Sequence, residues 1–331
     1  MKPALNQTVL GDNITTIRTW PDAFINTCVT SPPYFALRDY GMDGQIGLEA
    51  TPEAYVARLV DVFREVHRVL RDDGTLWLNL GDSYAARLRQ SGAEHAGDIS
   101  RSSEGVLTNI KKNRPNGYKE KDLYGIPWMV AFALRADGWY LRQDNIWHKP
   151  NPMPESVQDR CTKSHEYMFL LSKSETYFYD HEAIKEKAQP DDASRNGFSD
   201  LQEIKRSGNK YRKPASARGV PVDTKGKSNG AVAGSIPWEG TTRNKRSVWT
   251  VPIRPFKEAH FATFPPALIT PCILAGSPRG GVVLDPFMGA GTTALVAATH
   301  GRQFVGCELN PEYKAIADKR VAHELDQQKM F

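Results

Sequence analysis

Apolar positions along the chain form short, nearly continuous runs separated by longer stretches at helical spacing. A first strand ends near Leu10-Gly11-Asp12, a helix follows through Ile17, and a second strand runs from Phe24 to Thr30. Pro52 then opens a helix in which Tyr55, Val56, Leu59, Val60, Phe63, Val66 and Leu70 recur at helical spacing, with Asp72-Asp73-Gly74 as its expected stop. Leu76-Trp77-Leu78-Asn79-Leu80 reads as a strand covered on both faces. Beyond a polar insertion from Ala85 to Glu120, the pattern predicts a helix over Ile126 to Ala136. Strands over Trp139 to Trp147 and Tyr167 to Ser172 come next. The last part alternates again: helix from Pro266 to Leu274, strand from Val282 to Leu284, helix from Thr292 to His300, strand from Gln303 to Cys307. This alternation predicts an α/β fold around a mostly parallel sheet.

Composition narrows the class. A chain of 331 residues with 40% hydrophobic and 24% charged content can bury a core in one large domain or two smaller ones. No apolar run approaches the roughly 18 residues a membrane span needs, and Met1 to Gly11 lacks a basic region followed by an apolar stretch, so a cytoplasmic protein is expected. Cys28, Cys161, Cys272 and Cys307 are scattered, without the close pairs of a zinc site, and are expected to be buried reduced thiols. The net charge of +5 is unevenly placed: between His181 and Ser247 fourteen Lys and Arg face eight Asp and Glu. That stretch, rich in Gly, Ser, Asn and Pro, has two readings. It is a solvated loop, or it is a nucleic-acid contact region whose cations neutralise phosphates while Tyr211, Trp238 and polar side chains reach base edges.

Two motifs carry the chemistry, each at the carboxyl end of a predicted strand, where open α/β sheets bind ligands. In Asp285-Pro286-Phe287-Met288-Gly289-Ala290-Gly291-Thr292-Thr293 the glycines let the backbone approach a ligand closely. It is not a phosphate-binding P-loop, because no Lys follows the last glycine, and Ala294 stands where the dinucleotide fingerprint needs a third glycine. The next strand ends at Glu308, placed to accept from ribose hydroxyls, so a nucleoside-containing cofactor is favoured. Asp12 ends another strand and is either a contact to the adenine end of that cofactor, an exposed loop carboxylate or a helix cap. In Thr30-Ser31-Pro32-Pro33-Tyr34 the paired prolines stiffen the backbone, aim the Ser31 and Pro32 oxygens into a cleft and present Tyr34 as a flat apolar wall suited to a flipped base. Acceptors on both hydrogens of an exocyclic amino group favour the pyramidal nitrogen that attacks a methyl group; no covalent intermediate or metal is required.

These motifs, in this order, resemble those of DNA amino-methyltransferases of the permuted, beta-type arrangement, in which the catalytic motif precedes the S-adenosylmethionine motif. The resemblance covers most of the chain and implies a Rossmann-like methyltransferase sheet in circularly permuted order. It assigns the target amino group to Ser31, Pro32, Pro33 and Tyr34, the cofactor to Asp285, Phe287, Gly289, Gly291 and Thr292, the ribose to Glu308, and the adenine to Asp12. A further family motif resembling His-Pro-Thr-x-Lys-Pro appears as His260-Phe261-Ala262-Thr263-Phe264-Pro265. Its ends match and its middle does not, and it adds Thr263 and Phe264 as cofactor contacts. Residues 1–180 are then the catalytic part of the methyltransferase domain, 181–247 a target-recognition region and 248–331 the cofactor-binding part. Double-stranded DNA is the implied partner; whether a cognate restriction endonuclease accompanies the chain, and in what oligomeric state it acts, stay open.

Val29 before Thr30-Ser31-Pro32-Pro33-Tyr34 resembles the form associated with cytosine N4 methylation, an apolar residue followed by Thr-Ser-Pro-Pro-Tyr or Thr-Ser-Pro-Pro-Phe, whereas Asp-Pro-Pro-Tyr is associated mostly with adenine N6; cytosine is the preferred reading and adenine the alternative. Methylation at cytosine C5 is disfavoured because it needs a nucleophilic thiolate, and the only Pro-Cys pair, Pro271-Cys272, lies in an apolar helix. The insertion over 85–120, with Arg87, Arg89, Lys111, Lys112 and Arg114, is a DNA-contacting arm, a lid or a surface loop. His148 and Lys149 either line the target pocket or are solvated strand-end residues. A transferase acting on RNA or on a protein glutamine, and a non-catalytic DNA-binding scaffold, are the competing classes.

Overall fold

A computed structural model describes residues 3–85, 117–188, 241–253 and 264–328. Most of the insertion (86–116), most of the basic segment (189–240, with Tyr211 and Trp238) and the stretch holding His260 and Thr263 lie outside the described residues. The chain divides into two compact units, Lys185–Lys245 and the remainder. In the smaller unit, strands β6 (Glu186–Lys187) and β7 (Thr242–Arg243) pair antiparallel, and Arg243 Nε lies 2.9 Å from Glu186 Oε1.

The larger unit is built on an eight-stranded sheet among the described residues. Its strands are β1 (Gln7–Leu10), β2 (Ile25–Thr30), β3 (Leu70–Leu80), β4 (Tyr140–His148), β5 (His165–Ser172), β8 (Val248–Thr250), β9 (Val282–Asp285) and β10 (Gln303–Glu308), in the spatial order β1-β10-β9-β2-β3-β5-β4-β8. The run from β1 to β3 is parallel throughout. β5 pairs antiparallel with both β3 and β4, and β8 lies parallel to β4. Strands β1 and β2, successive in the chain, are thus separated in the sheet by the C-terminal pair β9 and β10.

Alternation along the strands feeds two cores. Leu76, Leu78, Leu80, Phe169 and Leu171 face helices α1 (Asn13–Arg18), α2 (Pro52–Val69) and α3 (Ile126–Ala136). Trp77, Met168 and Leu170 face α4 (Pro266–Gly276) and α5 (Thr292–Thr299), with Ala317 and Val321 of α6 (Pro311–Gln328) in the same cluster. Residues at i and i+1 of a strand point to opposite faces, so a run apolar at every position requires cover on both sides. Each large apolar side chain so buried contributes about 1.5–3 kcal/mol against exposure. Helix α2 forms as its spacing predicts, with Thr51 accepting from the Ala54 amide as N-cap and Pro52 in the first turn.

Three expectations are corrected. Helix α2 ends at Val69, before Asp72-Asp73-Gly74: Leu70 is already extended and starts β3, and the register against β2 shifts between Ile25 and Thr27, which absorbs residues 71–74 as a bulge. Gly74 allows it, since a Cβ there would lie 2.9 Å from the Arg71 carbonyl oxygen. Cys161 is exposed, whereas Cys28, Cys272 and Cys307 are buried. Tyr34 is more than an apolar wall, because its hydroxyl is held by polar partners described below.

The topology positions the site. From β9 the chain passes through α5 to β10; from β2 it passes through α2 to β3, on the opposite face and in the opposite direction along the sheet. The crevice between neighbouring β9 and β2 is therefore a topological switch point, and both motifs begin at its carboxyl rim.

Candidate active site

On the β9 side, Asp285 organises the turn. Its carboxylate accepts from the hydroxyls of Thr30 and Thr293, both at 2.6 Å, and from the Phe287 amide at 3.0 Å. Burial pushes the Asp285 carboxyl up to about 6, against the pull of those donors. Asp285 thus ties β9 to β2 and to the start of α5. Beyond it, Gly289 and Gly291 adopt φ of 52° and 78°, and a Cβ on Gly291 would stand 2.8 Å from that of Ala317. Gly291 caps α5 from the left-handed region, so the turn and the packing of α6 both require glycine.

The neighbouring strand β10 supplies the second carboxylate. Glu308 Oε2 accepts from the Gly289 amide at 2.7 Å and Oε1 from the Asn310 amide at 2.8 Å, while burial raises its pKa. The lone pairs left on these oxygens make Glu308 an acceptor for ligand hydroxyls. On β1's side, Asp12 caps α1 by accepting from the Thr15 amide at 2.9 Å. Asn13 beside it is buried; its Nδ2 donates to the Pro286 carbonyl at 3.3 Å, and its Oδ1 has no partner among the described residues.

On the β2 side, Ser31 to Tyr34 continue from Thr30. Pro32 is buried, and the Pro33 carbonyl accepts from the hydroxyl of Tyr55 in α2 at 2.8 Å. The Tyr34 hydroxyl lies 2.7 Å from Glu166 Oε2 and 3.1 Å from Asn79 Oδ1, and Ser31 Oγ lies 3.5 Å from it. Burial, then the charge of Glu166, holds the Tyr34 phenol well above its ordinary pKa, so it stays protonated. Lys149 pairs with Glu166 Oε1, and its ammonium sits 4.3 Å from the centre of the Trp147 ring. Gly81, where a Cβ would come within 2.6 Å of the Tyr34 ring, leaves room for the phenol.

Both motifs line one cavity of about 530 Å³. Of the residues expected at the site, Asp12, Ser31, Pro32, Pro33, Tyr34, Phe264, Asp285, Phe287, Gly289, Thr292 and Glu308 are in its wall. Gly291 is not: it stands behind the wall against α6. Thr263 lies outside the described residues. The wall also holds Asn13, Asn79, Lys149, Glu166 and Tyr313, none of them part of either motif. Lys149 is in this wall, whereas His148 is turned away to the Thr250 hydroxyl at 3.1 Å. Cys307 reaches the cavity too, but burial pushes its thiol up, and the same holds for buried Cys28, so neither offers a thiolate. Near the insertion, Tyr84 and Leu123 form an antiparallel bridge that brings its two ends together.

Known proteins resemble this chain in both sequence and fold. The profile of the DNA methylase family matches residues 25–319. The type II methyltransferase M.Cfr9I of Citrobacter freundii is 43% identical over 314 residues, which cover 95% of this chain and 87% of that protein. Among solved structures, the cytosine-N4-specific PvuII DNA methyltransferase superposes with a TM-score of 0.60 at 16% identity, over 98% of this chain and 92% of that one. A Thermus thermophilus protein described as a putative DNA modification methylase, solved with S-adenosyl-L-methionine, gives a TM-score of 0.56 at 23% identity, over 96% and 93%.

Proposed function

The chain belongs to the N6/N4 DNA methylase family, and from that premise we propose that it methylates the exocyclic amino group of a flipped DNA base, cytosine N4 ahead of adenine N6. The observation that carries this reading is the single cavity joining the Ser31-Pro32-Pro33-Tyr34 tetrad to the Gly289 turn and Glu308. The preference for cytosine rests on the tetrad opening with Ser31 rather than Asp.

The cavity suits S-adenosyl-L-methionine. Its volume lies within the roughly 300–1,000 Å³ of small-molecule sites. Glu308 would take the ribose hydroxyls, Asp12 would face the adenine end, and Phe264 and Phe287 offer apolar faces. When bound, the cofactor supplies a methyl group on a positively charged sulfur. The protein does the rest by position. Ser31 Oγ and the Pro32 carbonyl accept from the two amino hydrogens, which loosens the nitrogen lone pair from the ring and aims it at the methyl carbon. Tyr34 forms a wall for the base, its hydroxyl held by Glu166 and Asn79.

A base inside a duplex reaches this cavity only by leaving the stack, at a cost of a few kcal/mol that phosphate contacts help offset. The basic segment 181–247 is assigned to those contacts and to target recognition. The test is to incubate unmethylated plasmid DNA with the protein and labelled S-adenosyl-L-methionine, then digest to nucleosides for mass spectrometry. Labelled N4-methylcytosine is expected. N6-methyladenine would overturn the base, and cofactor binding without any DNA label would overturn methyl transfer to DNA.

A further inference from the structure

The hydrogen-bond directions around Tyr34 carry an inference that rests on the amino-methyl transfer just proposed and deepens it. Asn79 donates both amide hydrogens, one to Glu166 Oε2 at 3.2 Å and one to the Tyr167 carbonyl at 3.0 Å, which turns its Oδ1 toward Tyr34. The Tyr34 hydroxyl therefore faces two acceptors, Asn79 Oδ1 and the Glu166 carboxylate, and its one proton is committed to that side. Toward Ser31, 3.5 Å away, it has only a lone pair to offer. The Ser31 proton turns to Tyr34, and the Ser31 lone pairs are left facing the cavity. With the opposite polarity, Ser31 would accept from Tyr34 and present its proton to the target nitrogen, occupying the lone pair that must attack.

We propose that Glu166 is a positioning residue: through Tyr34 it polarises Ser31 as a hydrogen-bond acceptor for the target amino group, with Lys149 holding the carboxylate in place from its other oxygen. Glu166 touches neither cofactor nor base in this scheme. It lies on β5, 135 positions from Ser31, and is brought to the tetrad by the antiparallel pairing of β5 with β3. Asn79 and Glu166 belong to that same pair of strands, while Lys149 follows the end of β4.

A double-mutant cycle tests this. Glu166→Gln, Tyr34→Phe and the double variant are compared in single-turnover methyl transfer to plasmid DNA with enzyme in excess, alongside calorimetric titration with S-adenosyl-L-methionine. Loss of a hydrogen bond to a charged group predicts about a 10- to 100-fold slower turnover for each single variant. Cofactor Kd is expected within about twofold of wild type, which also certifies the fold. In the Tyr34→Phe background, Glu166→Gln is expected to add less than about twofold, because both changes cut one chain. Tyr34→Phe removes a single hydroxyl, so it supplies the arm that folds if Glu166→Gln does not, and wild-type turnover in it overturns the proposal. Multiplying losses, or a Glu166→Gln variant as fast as wild type, overturn it as well while leaving methyl transfer intact. A wild-type protein that binds cofactor yet never labels DNA overturns both.

Discussion

The two ends of the cavity are held in opposite ways. On the β9 side most partners are close in sequence: Asp285 reaches Phe287 and Thr293, and Glu308 reaches Asn310 and Gly289, while the Thr30 hydroxyl is a distant donor to Asp285. Charged acceptors there meet backbone amides, and glycine supplies the left-handed φ. On the β2 side, Ser31 to Tyr34 are braced from afar, by Tyr55 of α2, Asn79 of β3 and Glu166 of β5. The proposed cofactor end is thus held largely by its own turn and anchored to β2 through Thr30, whereas the proposed acceptor end, braced by three distant elements, can be retuned by changes outside its motif.

Four outcomes would sharpen or break this contrast. The largest expected effect is at the acceptor end: Ser31→Ala should cut kcat about 10²- to 10³-fold, the scale of one lost transition-state hydrogen bond, as read in single-turnover kinetics. At the other end, Glu308→Gln replaces one of the two accepting oxygens by an NH2 that meets a backbone amide donor, and should weaken cofactor binding about 10- to 100-fold in calorimetry.

The third outcome concerns pH. An ordinary Asp titrates near 3.9 and Asp285 near 6, so between those values the folded protein keeps a proton that the unfolded chain has lost. The unfolded state binds fewer protons there, so the Asp285 contribution falls as pH rises from about 4 to 6, and levels off above. The loss is on the order of 2–3 kcal/mol. In thermal melts followed across that range, Asp285→Asn should remove this part of the slope; an unchanged profile would show that Asp285 is not titrating there. The smallest effect expected is that of Tyr55→Phe. It frees the Pro33 carbonyl and should cost about 1 kcal/mol in denaturant unfolding, with cofactor affinity unaltered.

The same contrast explains what was legible in the sequence. The turn motif, the glycines and Glu308 could be read because each follows an apolar strand at short range. The helix opened by Pro52 followed from spacing, though not its end at Val69, and Cys272 was legible as structural from the apolar helix around it. Lys149 was legible only as one of two alternatives, and Asn79 and Glu166 could not be read: Asn79 sits in an apolar strand with no local partner, and Glu166 looks like a solvated strand start until β5 is known to pair with β3. Nor could the bulge at residues 71–74, since Asp72-Asp73-Gly74 has the composition of a helix stop in either case. Gly291 was legible as essential but not for its reason, which is the approach of Ala317 from α6.

The division of labour between the two ends is tested most directly by titrating S-adenosyl-L-methionine calorimetrically into wild type, Ser31→Ala and Glu308→Gln, with single-turnover methyl transfer to plasmid DNA measured at saturating cofactor. The expected result is a crossed pattern: Ser31→Ala keeps the wild-type cofactor Kd and loses turnover, whereas Glu308→Gln loses affinity and recovers most of its turnover at saturation. Weakened cofactor binding in Ser31→Ala, or wild-type affinity in Glu308→Gln, would contradict it.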